Sequence, residues 1–234
     1  MTNSKPVWAV IPASGVGRRM HSERPKQYLS FGGKTIIEHT LDRLLNCPHI
    51  HGAILVLQAD DAYWPELNYQ AVKPLYLATG GKRRQDSVIN GLSVLNDRFK
   101  HAYALVHDAV RPLVSDQDLN HLIASLNHSE CGAILATPLF DTIKRQNKAS
   151  KIQKTIDRQG LWRALTPQLF KAEILQQALQ QARINRQIMT DESVAMEALG
   201  YQPLVVEGST ENIKITRPDD LRLAQLIWQS RQNQ

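Results

Sequence analysis

The chain has 234 residues, with 28 Lys and Arg against 22 Asp and Glu for a formal net charge of +6, and 42% of it is hydrophobic. That length suits one large α/β domain over residues 1–234 and leaves no room for a second fused enzyme, while the basic surplus points to nucleic acid or a small anionic substrate. Two distant cysteines, Cys47 and Cys131, exclude a Cys/His metal framework and read as ordinary thiols in a reducing compartment, a disulfide being the minor alternative.

Val7 to Ile11 is an unbroken apolar run, the pattern of a strand covered on both faces, and Pro12 ends it. This strand starts within a few residues of Met1 and no run approaches the length of a membrane span, so a cytoplasmic protein without a membrane partner is expected. Gly15 and Gly17 then allow close backbone approach with N–H groups aimed at an anion, and Arg18, Arg19 and Lys26 add positive charge around the same turn. A Walker loop is excluded, because Gly17-Arg18-Arg19-Met20 stands where Gly-Lys-Ser/Thr is needed; a dinucleotide fingerprint is excluded by Met20 in place of a third small residue.

Thr35 and Glu38 predict a capping box for a helix carrying Ile37, Leu41, Leu44 and Leu45 on one face. Ala53 to Leu57 and Leu75 to Ala78 predict strands, the second leading into Thr79-Gly80-Gly81-Lys82-Arg83-Arg84, where Arg83 and Arg84 read as surface charge. A helix follows with Val88, Leu92 and Leu95 inward, then a strand from Ala102 to Val106 ending in His107-Asp108-Ala109-Val110-Arg111. Ser115 caps a helix with Leu119, Leu122, Ile123 and Leu126 on one face, and Cys131 to Thr137 is the next strand. Strands alternating with amphipathic helices predict an α/β fold, a Rossmann-like, mostly parallel sheet flanked by helices, with Gly15, Gly80 and Asp108 at the carboxyl ends of strands, where ligands collect.

Between Leu139 and Arg158 the rhythm breaks: Phe140 to Lys144 and Lys151 to Ile156 alternate around a polar turn, predicting a projecting β-hairpin arm over 139–158. Six basic residues against Asp141 and Asp157 give the arm +4, most of the surplus of the chain. A lone hairpin is marginal in water, so the arm is expected to pack on a second subunit, with a solvated charged hairpin as the alternative. Farther on, a helix carries Leu175, Ala178 and Leu179, Thr190-Asp191-Glu192 opens another, Gln202 to Glu207 and Asn212 to Ile215 read as strands, and a last helix begins near Pro218.

Ala13-Ser14-Gly15-Val16-Gly17-Arg18-Arg19-Met20, followed by Pro25-Lys26-Gln27-Tyr28, resembles the signature of 2-C-methyl-D-erythritol 4-phosphate cytidylyltransferases, and the similarity continues over nearly the whole chain. The resemblance implies a homodimeric transferase of the non-mevalonate isoprenoid pathway. It would use Mg²⁺ to join CTP and 2-C-methyl-D-erythritol 4-phosphate with release of pyrophosphate. It assigns Ala13, Ser14, Gly15 and Gly17 to the triphosphate, Gly80, Gly81 and Ser87 to cytosine and ribose with Ala109 beside them, and Arg19 and Lys26 to the pentavalent transition state. Asp108 would stand near the metal and the transferred phosphate, its alternative being a cap or an ion pair with Arg111, and His107 reads as a packed structural histidine. Thr142, Arg158, Thr166, Thr190 and Lys214 would bind the polyol phosphate, with the arm crossing to the neighbouring subunit and Arg158 and Lys214 positioning the attacking group. Lys82 and Val110 depart from the family, which usually has an acidic and a small residue there.

The chemistry fits: a phosphate monoester is already an anion, so convergent cations and a metal matter more than a general base. Three rivals remain: a cytidylyltransferase for another polyol phosphate such as ribitol 5-phosphate; a nucleic-acid-binding module, although charge concentrated on one arm rather than along a groove speaks against it; and a catalytically silent nucleotide sensor, which the complete acceptor-side set disfavours.

Overall fold

The structure is a computed structural model that describes residues 6–15, 20 and 22–233. Gly17, Arg18 and Arg19 lie outside the described residues. In chain order the elements are β1 (Val7–Pro12), a small hairpin of β2 (Ser30–Phe31) and β3 (Lys34–Thr35), α1 (Ile36–Leu45), β4 (Ile50–Leu57), α2 (Tyr63–Glu66), β5 (Leu75–Thr79) and α3 (Arg84–Arg98). There follow β6 (Tyr103–Val106), α4 (Asp116–Ala124), β7 (Gly132–Pro138), β8 (Ile143–Gln146), β9 (Ile152–Ile156), β10 (Trp162–Lys171), α5 (Ala172–Ile184), α6 (Glu192–Ala198), β11 (Leu204–Glu207) and α7 (Pro218–Gln232).

Seven strands form one sheet in the order β11-β7-β10-β6-β1-β4-β5. β1 runs parallel to both β4 and β6, and β10 lies antiparallel between β6 and β7. The apolar run of β1 is divided by the strand's period of two. Val7, Ala9 and Ile11 join the core under α1 and α4, whereas Trp8 and Val10 join the core under α3, α5 and α6. Gly91 lets α3 settle onto the sheet, since a Cβ there would meet methyls of Val10 and Val56 at 2.8 Å. A third cluster, including Phe31, Val110, Leu113, Ile215 and Ala224, fastens α7 beside the carboxyl end of the sheet.

Both predicted capping signals are formed: Thr35 accepts from the Glu38 N–H, and Ser115 from the Asp118 N–H. Two local expectations need correction, and one segment without a predicted element gains one. Residues Asn212 to Ile215 are not a strand; the segment is held by individual bonds, from Ile215 N–H to the Val110 carbonyl (2.9 Å) and from Arg111 Nη1 to the Asn212 carbonyl (2.7 Å), rather than by a ladder. The polar stretch from Asp60 to Lys73 contains the short helix α2, whose first N–H groups at Tyr63 and Trp64 are taken by Asp61. The arm hairpin begins at Ile143 rather than Phe140, because its register pairs Ile143 with Ile156.

Candidate active site

β1, β5 and β6 all finish at the same edge of the sheet, and their following loops surround a cleft of about 640 Å³ counted to its open mouth. One wall is the loop after β1. Ala13 keeps the strand's pairing by donating to the Val56 carbonyl at 2.8 Å, and its own carbonyl accepts from Gln27 Nε2 at 2.6 Å. Gln27 is buried, on a single turn of 3₁₀ helix that also carries Lys26. Lys26 thus faces the cleft from the far side of its own loop, with Nζ 3.3 Å from the Ile215 carbonyl.

The second wall is the turn after β5. The Ser14 and Ser87 hydroxyls meet at 2.8 Å and the Gly81 N–H donates to Ser87 Oγ at 3.0 Å, joining the two glycine turns. A Cβ at Gly80 would overlap the Ser14 side chain, so only glycine permits this approach. Ala13, Ser14, Gly15, Gly81 and Ala109 line the cleft, while Gly80 and Ser87 stand behind it.

Asp108 occupies the floor, just past β6, and is 6% exposed. Three cations hold its carboxylate: Lys214 Nζ at 2.9 Å, Arg84 Nε at 3.1 Å and Arg111 Nε at 3.4 Å. Burial alone would raise the Asp108 pKa, but these neighbours, Arg84 foremost, hold it well below the usual carboxylate range. The carboxylate faces the cleft, and it also forms the ion pair with Arg111 that the sequence offered as the alternative.

Behind Asp108 lies a neutral hydrogen-bonded shelf. The Asp108 N–H donates to Thr166 Oγ1 at 3.1 Å, and Thr166 Oγ1 stands 3.2 Å from His107 Nδ1. His107 Nε2 lies 2.9 Å from the Arg111 carbonyl, which can only accept, so the proton sits on Nε2 and Nδ1 accepts from Thr166. Burial pushes the His107 pKa down to about 4, leaving it neutral near pH 7 and unsuited to act as a base. The Thr166 hydroxyl is therefore already engaged inside the protein, and its carbonyl accepts from Asn212 Nδ2 at 2.8 Å.

Thr142, Arg158 and Thr190 are exposed and do not line the cleft. Thr142 and Arg158 flank the arm hairpin; Phe140, just before it, and Ile152 on β9 are 71% and 67% exposed, and Thr190 precedes the cap of α6. Arg84, read from sequence as surface charge, is instead part of the floor: besides Asp108 it grips Glu192, with Nη1–Oε1 at 2.6 Å and Nη2–Oε2 at 3.2 Å. A sequence signal did exist, for an arginine as the first residue of a helix opposes the helix dipole and so implies a carboxylate partner.

Among the described residues no three His, Cys, Asp or Glu side chains converge as a metal site, and Asp108 is the one carboxylate lining the cleft. Its four lone-pair positions, three of them used, suit a hydrated Mg²⁺ that takes one carboxylate and completes its shell with phosphate and water.

The IspD family, described as 2-C-methyl-D-erythritol 4-phosphate cytidylyltransferase, matches residues 7–230. A protein of that description from Alteromonas mediterranea is 49% identical over 227 residues, covering 96% of this chain and 93% of the relative. Another from Vibrio vulnificus is 47% identical over 218 residues, covering 93% and 92%. The crystal structure of the Francisella tularensis enzyme of the same name superposes with a TM-score of 0.82 at 33% identity, covering 96% of this chain and all of that one. A further crystal structure, of a 4-diphosphocytidyl-2C-methyl-D-erythritol synthase, gives a TM-score of 0.83, also at 33% identity, over 96% and 98% of the two chains. On these grounds the chain belongs to the 2-C-methyl-D-erythritol 4-phosphate cytidylyltransferase family.

Proposed function

We propose that the cleft around Asp108 transfers the cytidylyl group of CTP to 2-C-methyl-D-erythritol 4-phosphate, giving 4-diphosphocytidyl-2-C-methyl-D-erythritol and pyrophosphate in isoprenoid biosynthesis. The observation that carries the reading is the convergence of Lys26, Arg84 and Lys214 on a cleft at the carboxyl end of the sheet, beside two interlocked glycine turns. In this reading an oxygen of the acceptor phosphate bonds to the α-phosphorus of CTP as the bond to the β-phosphate breaks, and pyrophosphate leaves with its electron pair. No proton has to be abstracted, because a phosphate monoester is already an anion near neutral pH.

Ala13, Ser14, Gly15 and Gly17 receive the triphosphate, and Gly80, Gly81, Ser87 and Ala109 receive cytidine. Lys26 and Arg19 stabilise charge at the α-phosphorus, while Lys214 and Arg158 place the attacking phosphate. Mg²⁺ is the metal, held by Asp108 with the triphosphate, and it supplies further neutralisation of phosphate charge. Thr142, Thr166 and Thr190 belong to the acceptor side. Because Thr142 and Arg158 lie on an exposed arm with bare apolar side chains, they serve the cleft of a second copy in a homodimer, and the protein works in the cytoplasm.

The relatives above are named for methylerythritol phosphate, which weighs against ribitol 5-phosphate as acceptor. Pyrophosphate release with CTP and each acceptor is the test. Faster turnover with methylerythritol phosphate is expected; faster turnover with ribitol 5-phosphate overturns the acceptor, and release with neither overturns the activity.

A further inference from the structure

Glu192 is a charged side chain only 1% exposed, at the first position of α6, and it does not line the cleft. Among the described residues its two carboxylate oxygens have one hydrogen-bond partner, the guanidinium of Arg84, gripped through both terminal nitrogens. Such a bidentate pair fixes the plane of the guanidinium as well as its position. Arg84 is thereby oriented to aim its remaining nitrogen, Nε, at Asp108 Oδ1, while Lys214 takes Oδ2. Glu192 is itself fixed from behind: its N–H and that of Ser193 donate to Oε1 of Gln168, at 3.1 and 2.9 Å. Gln168 is fully buried on β10 and registers with Val106, the last residue of β6 before the Asp108 loop.

We propose that Glu192 is a positioning residue for the transfer reaction, acting through Arg84 to fix the Asp108 carboxylate and, by way of it, the ammonium of Lys214. The inference rests on the functional reading above. It ties three segments together: the nucleotide turn through Arg84 at the start of α3, the floor through Asp108, and the loop carrying Thr190 through Glu192. Two terminal N–H protons of Arg84 are left over after these contacts, and its side chain is 31% exposed at the cleft wall. A phosphate oxygen can therefore meet a guanidinium already locked in place, and immobilising it is not charged to the chemical step.

The perturbation is Glu192→Gln, which keeps the shape and one acceptor but removes the charge and the second strong bond. Turnover should fall about tenfold, corresponding to roughly 1.4 kcal/mol of lost transition-state stabilisation, with KM for CTP within about twofold of wild type. In an Arg84→Met background, the same Glu192→Gln change should cost less than about twofold, because the group it acts through is gone. Turnover of folded Glu192→Gln within twofold of wild type, or an equal loss in both backgrounds, overturns the proposal.

A crystal structure of Glu192→Gln separates the inference from the reading it rests on, since it requires no turnover. Displacement of Arg84 Nε or Lys214 Nζ beyond hydrogen-bond reach of Asp108 supports the proposal; both contacts kept at their wild-type lengths overturn it. Wild-type protein that releases no pyrophosphate with either acceptor overturns the functional reading and this inference with it.

Discussion

Replacing Asp108 by Asn should destabilise the protein and strengthen anion binding together. The carboxylate is 6% exposed and meets three cations at 2.9–3.4 Å. An amide has the same shape, but its nitrogen turns two protons toward groups that can only donate. Removing one partner of a buried ion pair costs about 3–5 kcal/mol. Here Lys214 and Arg84 are 38% and 31% exposed and partly screened, and Arg84 keeps Glu192, so the lower end, about 3 kcal/mol, applies. At roughly 2–4 °C per kcal/mol for a chain of this length, the thermal midpoint should fall by about 6–12 °C. Circular-dichroism melts measure this, and calorimetry with pyrophosphate measures the second effect, a tighter complex because the floor has lost a negative charge. A midpoint within about 2 °C of wild type refutes the argument that this carboxylate is what holds the cations, and weaker pyrophosphate binding by the folded variant refutes the argument that its charge opposes the bound anion.

Neutral His107, with its pKa pushed down to about 4 by burial, binds fewer protons in the folded than in the unfolded chain between about pH 4 and 6.5. Its stabilisation is complete above about pH 6.5 and lost as pH falls toward 4, so urea unfolding should show a loss of roughly 2 kcal/mol between pH 7 and 5. A His107→Gln variant with an equal slope disproves this origin. Gly80→Ala drives a methyl into Ser14, and a cost of about 1–3 kcal/mol with weaker CTP binding is expected from unfolding and calorimetry; unchanged CTP affinity would show that the Ser14–Ser87 contact does not shape the nucleotide site. Mixing the Lys26→Ala and Arg158→Ala proteins, each inactive alone, should restore about a quarter of wild-type turnover after subunit exchange if the arm serves the partner's cleft, since half the dimers then carry one intact site. No recovery after verified exchange excludes the crossing arm.

Local rules carried the sequence reading wherever local physics decides the outcome. The β1 run, the capping box at Thr35, the cap at Ser115 and the helix stripe at Leu119 and Leu122 all depend on neighbours a few residues away, and each is found in the structure. The same reasoning put Gly15, Gly80 and Asp108 at one edge of the sheet, because parallel strands end together. Asn212 to Ile215 misled because its apolar and polar alternation comes from two different environments, with Asn212 and Ile215 buried and Lys214 reaching Asp108, rather than from a pleat. Arg84 and Glu192 were hidden for another reason. They stand 108 residues apart, and a single sequence carries no mark of which buried carboxylate meets which arginine.

The placing of a carboxylate among cations that are to meet phosphate looks self-defeating, since it consumes part of their field. Without it, Arg84, Arg111 and Lys214 would stand around one point and repel one another. Lys214 is the most exposed of them, on a flexible stem whose head would otherwise turn to water. Asp108 offsets the repulsion, and Glu192 takes a further share at Arg84, so three cations and two carboxylates leave the floor one positive charge. The shelf behind it adds none, for His107 is neutral and Thr166, Gln168 and Asn212 carry no charge. Folding therefore meets the cost of ordering the cations before any substrate arrives, and what faces the cleft is a modest net charge in a fixed geometry rather than a large one in a mobile geometry.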